Sequence, residues 1–396
     1  MVSSGKRRGE RNSLDTRDLR DKTAVVGVGY TAKQGIVPNT TDMNLALEAC
    51  KNVIEDAGLK KDDIDGLLLQ PTMSGVHSYN VGAQLGIDLR FTANLDVMGA
   101  SSGCIAQYAA MAVALGQANY VLCLYATTDH SGRAGGGGGM GVRRASSDFA
   151  YGAMGAPMSY ALAARRAMHE WGTGPETWKH IAANTRKWAN LNPRATFYDK
   201  PLTFDDYYAE PWVAEPFRRA DCCLVSDGAR AFIVTTAERA RHLKHPPAYI
   251  AGWGQYHHTA NVAQSQFNTG PTAAKQSGAD ALKMAGITLK DISACEIYDC
   301  FTYTVELTMQ SYGFFKPGEA KDFFKDGRTA PGGEFPVNTS GGLLSEVYYM
   351  GFTPLTEAVM QIQGRCGDRQ VKDPHYILAS GNGGILQTHS TVILRR

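Results

Sequence analysis

The chain has 396 residues, 43% hydrophobic and 20% charged, which supplies a large buried core and more than one domain. Its formal net charge of +2 gives no general attraction to nucleic acid or to an anionic membrane. Cysteines 50, 104, 123, 222, 223, 295, 300 and 366 contain no C-x-x-C spacing, which argues against a zinc site built by this chain alone and for free thiols in a reducing cytoplasm.

Residues 1–21, with Lys6, Arg7, Arg8 and Arg11 set against Asp15, Asp18 and Asp21, read as a solvated, flexible tail that lacks the apolar core of a secretory signal. Lys22 to Tyr30 is a β-branched run and predicts a buried strand. Thr41 and Asp42 cap an amphipathic helix that Gly58 stops. Short strands follow at Gly66 to Gln70 and Thr92 to Met98. Ala100 to Gly116 has helical spacing and many small residues, as expected of a helix buried on most sides. Asn119 to Thr127 is a further strand. The longest apolar region, 109–126, is broken by Gly116, Gln117 and Asn119 and is too short to span a bilayer.

From about 129 to 218 the rhythm breaks into an inserted loop region. It opens near the glycine run Gly135 to Gly139, which lacks the Lys-Ser/Thr of a phosphate loop and reads as a mobile lid or a partner-contacting loop. Gly228 to Leu243 returns to strand and helix. A second half starts with a strand at Ala248 to Gly254 and a helix from about Thr272 to Gly286. AGLKKDDIDGLLLQ (57–70) and AGITLKDISACEIY (285–298) then match in register, Gly58 with Gly286 and Ile64 with Ile292. The repeat implies two similar domains, 22–245 and 246–396, each with a mixed sheet covered by helices.

Four loops carry the chemistry: VMGASSGCIAQ (97–107), EIYDCF (296–301), NTSGGLLSEVYYMGFT (338–353) and ASGNGGILQTHSTVILRR (379–396). Through them the chain, from roughly Lys22 onward, resembles the thiolase superfamily. It is most similar to the sterol-carrier-protein-type thiolases and to the lipid-transfer-protein-like, thiolase-fold aldolases of bacterial steroid side-chain degradation. The resemblance implies an α/β thiolase fold: two duplicated βαβαβ-type domains with mixed sheets in a layered αβαβα arrangement, plus the inserted loop domain.

Each loop departs from the family pattern. Where thiolases hold a nucleophilic cysteine at a helix N-terminus, this chain has Ala100, or Gly99 if the register slips by one. Cys104, a turn further on, reads as a packed core residue. Without the thiolate, no acyl-enzyme is expected. The second loop keeps Asp299, Cys300 and Phe301 but has Tyr298 in place of a histidine. Taken alone, Tyr298 reads as a packed strand-end residue. The third loop is in clean register through Asn338 to Gly342. It then places Tyr348 at the second histidine, with Val347 for a glycine and Tyr349 for a proline. Tyrosine at both histidine positions argues for a shared catalytic role. In the fourth, Gly381-Asn382-Gly383 replaces Cys-x-Gly, so the acid/base cysteine is also gone. Gly383 either offers a backbone N–H to a thioester oxygen or makes a turn before the last strand, in which His389 is a structural residue. The expected site is thus Tyr298 and Tyr348, with Gly383, Asn338, Asp299 and Ala100 as oxyanion and substrate contacts. His257-His258 has no third ligand, so no metal is expected, and no cofactor beyond the CoA of the substrate.

An acyl-CoA cleft with two phenols and no thiolate suits retro-aldol cleavage of a β-hydroxyacyl-CoA. The resemblance implies a 17-hydroxy steroid side-chain CoA thioester, giving a 17-ketosteroid and propionyl-CoA. It also implies a homodimer and a separate DUF35-type partner that combines a zinc ribbon with an OB-fold. Tyr348 is expected as base and Tyr298 as proton donor. Two other readings stay open: an atypical acyl-CoA acyltransferase, and a non-catalytic thiolase-like subunit that binds acyl-CoA or lipid.

Overall fold

The computed structural model describes residues 15–71, 76–132, 155–258 and 271–396; the glycine run 135–139 lies outside them. The first half runs β1 (Thr23–Tyr30), α1 (Asp42–Asp56), β2 (Gly66–Gln70), α2 (Ser78–Leu85), β3 (Phe91–Asn94), α3 (Ser101–Ala114) and β4 (Val121–Thr128). An inserted segment then carries α4 (Ala156–Trp171), α5 (Pro175–Ala189), α6 (Phe204–Ala209) and the hairpin β5 (Trp212–Ala214) and β6 (Phe217–Arg218). β7 (Asp227–Thr236) and α7 (Ala237–Ala240) follow. The second half runs β8 (Ala248–His257), α8 (Ala273–Ala285), β9 (Ala294–Glu296), α9 (Thr302–Tyr312), α10 (Ala320–Phe324), α11 (Phe352–Ile362), β10 (Tyr376–Gly383) and β11 (Thr388–Arg395).

The main sheet has the order β3-β2-β4-β7-β1-β8-β11-β10-β9. In the first half β7 lies antiparallel between β4 and β1, and in the second β11 lies antiparallel between β10 and β8. Val337 bridges Cys295 at the far edge, where the first half has its third strand. The two halves therefore wind alike and meet at β1 and β8, where only Ala24 with Tyr249 and Val25 with Ala248 are paired.

Side-chain alternation along the strands builds the layers. Ala24 and Val26 pack with α1, whereas Val25 and Val28 pack with α3 and α11. In the second half Ile377, Val392 and Leu394 face that same central helical layer, whereas Leu378 and Ile393 pack with α8 and α9. The result is helix, half-sheet, central helices, half-sheet, helix. Gly29 and Gly254 let α1 and α8 approach so closely that a β-carbon at either would overlap the carbonyl of Ala49 or Ser277. The repeated segments do the same work twice. Gly58 and Gly286 leave their helices at φ +71° and +69°. Asp63 and Asp291 then accept the N–H of Lys60 and Thr288 at 2.7 and 2.8 Å, and Ile64 and Ile292 bury at the entry to the next strand.

Three expectations change. The strand expected over 92–98 spans only Phe91–Asn94, and the chain then turns sharply at Met98 with φ 55°. The described part of the inserted region is largely helical rather than looped. In α5, Trp178, Ile181, Thr185 and Trp188 recur at helical spacing and are all buried. Residues 15–21, expected in the flexible tail, are fastened down: Asp15 caps a short turn, the Asp21 N–H donates to Ile250 O (3.1 Å), and the Asp21 carboxylate pairs with Arg395 (2.9 Å). Among the described residues no helix is long and apolar enough to cross a membrane.

Candidate active site

Two tight turns meet at the C-terminal ends of the strands. Val97-Met98-Gly99 leads into α3, and Tyr349-Met350-Gly351 leads into α11. Each closes a bridge between its flanking residues and puts a methionine in the left-handed region, at φ 55° and 50°. Strain of this kind at a strand-to-helix turn projects whatever it carries out of the sheet. The turns stack on one another: a β-carbon on Gly351 would lie 2.6 Å from Gly99 O.

Tyr298 follows β9, and its N–H donates to Ser380 Oγ (3.0 Å). Tyr348 precedes the second turn, and its N–H donates to Ser226 Oγ (3.2 Å). Residues fifty apart in sequence thus bring their phenol oxygens to 2.9 Å, with the rings edge-on at 72°. The Met350 thioether closes the group, its Sδ lying 3.1 Å from Tyr348 Oη and 3.5 Å from Tyr298 Oη. Tyr298 is 3% exposed and Tyr348 is half-buried. Burial pushes both phenols well above the ordinary phenol range. At neutral pH the pair therefore holds two protons and no charge.

Gly99 lies directly against this pair. A β-carbon on it would overlap the Tyr298 hydroxyl and the Asn382 carbonyl. Of the two positions that the sequence offered at this turn, Gly99 is the one whose Cα lies against the Tyr298 phenol. Ala100 caps α3, is fully buried, and gives its carbonyl to Ser390 Oγ at 2.7 Å. Gly383 passes the first turn so closely that its missing β-carbon would stand 2.8 Å from Met98 Cβ and from Thr388 Oγ1.

Asp299 and Asn338, expected to contact substrate, instead stitch the Tyr298 strand end to the Tyr348 loop. Asp299 is fully buried and accepts the N–H groups of Leu343 (2.8 Å) and Leu344 (3.4 Å) in a π-helical turn over Gly342–Glu346. Burial pushes its carboxyl up to about 7. Asn338, 1% exposed at φ 56°, accepts the Ile297 N–H at 2.6 Å. Acceptors spent on backbone in this way brace the site from beneath.

The inserted segment braces it from the side. Thr196 Oγ1 donates to Glu346 O (2.7 Å), Asn192 Nδ2 to Ser340 O (2.9 Å) and Arg186 Nε to Ser345 Oγ (2.9 Å). Below the loop, Arg230 and Glu346 form a fully buried ion pair, and Arg230 Nη1 also donates to Thr353 O (3.2 Å) and Thr356 Oγ1 (3.0 Å). From α4, the Tyr160 hydroxyl accepts Asn382 Nδ2 at 3.0 Å, and its ring packs on Phe301. Met350, Tyr160 and Arg230 were not singled out from sequence. The methionine before Gly351 was the one signal available, since it sits two residues from a candidate catalytic residue.

His389 bonds through Nε2 to Tyr312 Oη (2.8 Å), and burial depresses its imidazole to about 3, so it stays neutral in its strand and is only a weak base. Cys104 is packed, 1% exposed, with its thiol pushed up by burial to about 12. Among the described residues no three His, Cys, Asp or Glu side chains converge as a metal site.

Residues 254–396 match the family described as Thiolase C-terminal domain-like. The chain is 35% identical over 383 residues to a steroid side-chain-cleaving aldolase of Thermomonospora curvata, covering 92% of this chain and 96% of that one. It is 32% identical over 382 residues to the 17-hydroxy-3-oxo-4-pregnene-20-carboxyl-CoA lyase of Mycobacterium tuberculosis, covering 92% and 97%. Among solved structures it is similar to an Ltp2-ChsH2(DUF35) aldolase, with TM-score 0.88 and 34% identity over 95% of this chain and 98% of that one. Human mitochondrial 3-ketoacyl-CoA thiolase, at 16% identity and TM-score 0.67, shares the fold.

Proposed function

This chain belongs to the thiolase superfamily, among its steroid side-chain-cleaving aldolases, and from that premise we propose that it cleaves a 17-hydroxy steroid side-chain CoA thioester by a retro-aldol reaction, without a cysteine nucleophile. The products are a 17-ketosteroid and propionyl-CoA. The observation that carries this reading is the 2.9 Å contact between Tyr298 and Tyr348 at a site where Gly99 leaves no nucleophile.

A retro-aldol step is neutral in protons. The β-hydroxyl loses one as it becomes a carbonyl, the Cα–Cβ bond breaks, and the α-carbon gains one. Two neutral phenols in contact can carry that proton across as a relay: one oxygen takes it, the next gives up its own, and no free phenolate is needed. This removes the difficulty of a buried tyrosine acting as a base near pH 7. Either phenol can stand at either end, because a hydroxyl donates and accepts. Close backbone approach at Gly383 suits a dipole that stabilises the enolate oxygen.

In the Ltp2-ChsH2(DUF35) aldolase the enzyme is paired with a DUF35 protein. By that analogy this chain works with a DUF35-type partner; we further propose a homodimer in the cytoplasm with no cofactor other than the CoA on its substrate. The test is turnover of the 17-hydroxy thioester by the co-expressed complex, read by mass spectrometry. Release of ketone and short acyl-CoA, abolished in Tyr298→Phe and Tyr348→Phe, supports the reading. An intact substrate bound to an assembled complex overturns it, and transfer of a labelled acyl group to free CoA replaces it with acyltransfer.

A further inference from the structure

The Met350 sulfur is the third member of the phenol group. Each phenol has a single proton, so when one donates to the other a second proton is left to place. In either order the Met350 thioether is within reach of that proton. The two contacts are unequal: Sδ is 3.1 Å from Tyr348 Oη and 3.5 Å from Tyr298 Oη. The shorter contact favours the order in which Tyr298 donates to Tyr348 and Tyr348 donates to sulfur. A thioether is a weak acceptor, so it orients the proton but gives way to a stronger one. An enolate carbon arriving in its place is such an acceptor.

Resting on the aldolase reading, we propose that Met350 is a positioning residue that sets the direction of the relay. Tyr298 takes the β-hydroxyl proton and passes its own to Tyr348, and Tyr348 delivers its proton to the α-carbon. The balance is complete. The substrate O–H breaks and its carbon–oxygen bond becomes a carbonyl, the Cα–Cβ pair becomes the new Cα–H bond, and both phenols end with one proton each. This order is the reverse of the one expected from sequence, where Tyr348 was the base. The backbone turn serves the same end: at φ 50° Met350 aims its side chain back at the hydroxyl two residues upstream.

The test separates the order from the reaction. Exchange of the α-hydrogens of propionyl-CoA with solvent deuterium needs the phenol beside the α-carbon and an acceptor for that phenol's own proton, a place solvent takes when the other hydroxyl is removed. It is expected to persist in Tyr298→Phe and to be lost in Tyr348→Phe, while both variants lose cleavage. Met350→Leu and Met350→Gln both keep an unbranched β-carbon at a left-handed position, and circular dichroism checks that each folds. Leu removes the acceptor and is expected to lower kcat about fivefold, the worth of one weak hydrogen bond, with KM unchanged. Gln supplies a stronger acceptor, holds the proton harder and lowers kcat further. Wild-type complex that neither cleaves nor exchanges sinks the aldolase reading and this order with it. Wild-type cleavage with exchange surviving in Tyr348→Phe overturns the order alone. Leu and Gln variants that match wild type, or that change only KM, reduce Met350 to packing.

Discussion

Gly99 lies beneath the Tyr298 hydroxyl, in the space that a side chain on its own Cα would fill. A hydroxyl and a β-carbon cannot share that place. Gly99→Ala should displace the phenol, cut turnover by about a hundredfold or more through misplacement alone, and cost about 1–3 kcal/mol of stability by overpacking. Steady-state rates and thermal unfolding check both. Wild-type turnover in this variant would show that Tyr298 does not need its present position.

The pH dependence of turnover has a definite sign. The relay needs both phenols protonated, and burial raises both above the ordinary phenol value. Activity is then retained through the neutral range and lost only as pH rises through those elevated values, beyond the ~10 of a free tyrosine. A kcat profile that instead rises with a midpoint near neutrality would point to a phenolate or another base.

Asp299 gives a second pH signature, in stability rather than rate. Burial holds its carboxyl at about 7 in the folded chain, against ~3.9 when unfolded. Between those values the folded state binds the extra proton, so stability falls as pH climbs from about 4 to about 7 and levels off above that. Asp299→Asn lacks this titration. Urea midpoints of wild type should drop relative to the variant across that interval; other buried carboxyls are common to both chains and cancel in the difference. Parallel curves would mean that the Asp299 charge is accommodated without cost.

The Arg230–Glu346 pair lies wholly inside the protein beneath the Tyr348 loop. Arg230→Met strands the carboxylate and is expected to cost about 3–5 kcal/mol and to slow turnover by loosening the loop. Adding Glu346→Leu should recover much of the stability but not the rate, since Arg230 also holds Thr353 and Thr356. A double-mutant cycle on unfolding free energy decides this: additive losses would mean that the two groups do not interact.

Much of this was legible in sequence because the signals were local. The β-branched run of β1, the Thr41 cap and the Gly58/Gly286 repeat each act within a few residues. So did the tyrosines, Tyr298 beside a kept Asp-Cys-Phe and Tyr348 a few residues after a kept Asn-Thr-Ser-Gly-Gly. What failed depended on distance. Asp299 and Asn338 sit in the right motifs, but only three-dimensional packing shows their oxygens spent on the loop backbone. That Gly99 lies against Tyr298 depends on packing between residues almost two hundred positions apart. The inserted helices were missed because their buried faces are built from Ala, Thr and Trp, which blur the apolar period.

The turns at Met98 and Met350 carry a consequence for recombining this chain with its relatives. They are matching corners of a duplicated half, yet they no longer do matching work: one has given up its side chain, and the other carries the phenol beside it. A chimera taking its first half from a relative with a side chain at the Gly99 position and its second from this chain would bring that side chain and the Tyr298 ring into the same few ångströms. The reverse chimera would leave a hole with neither. The halves are therefore interchangeable as architecture and inseparable as chemistry, and a working hybrid has to inherit the glycine and the tyrosine together.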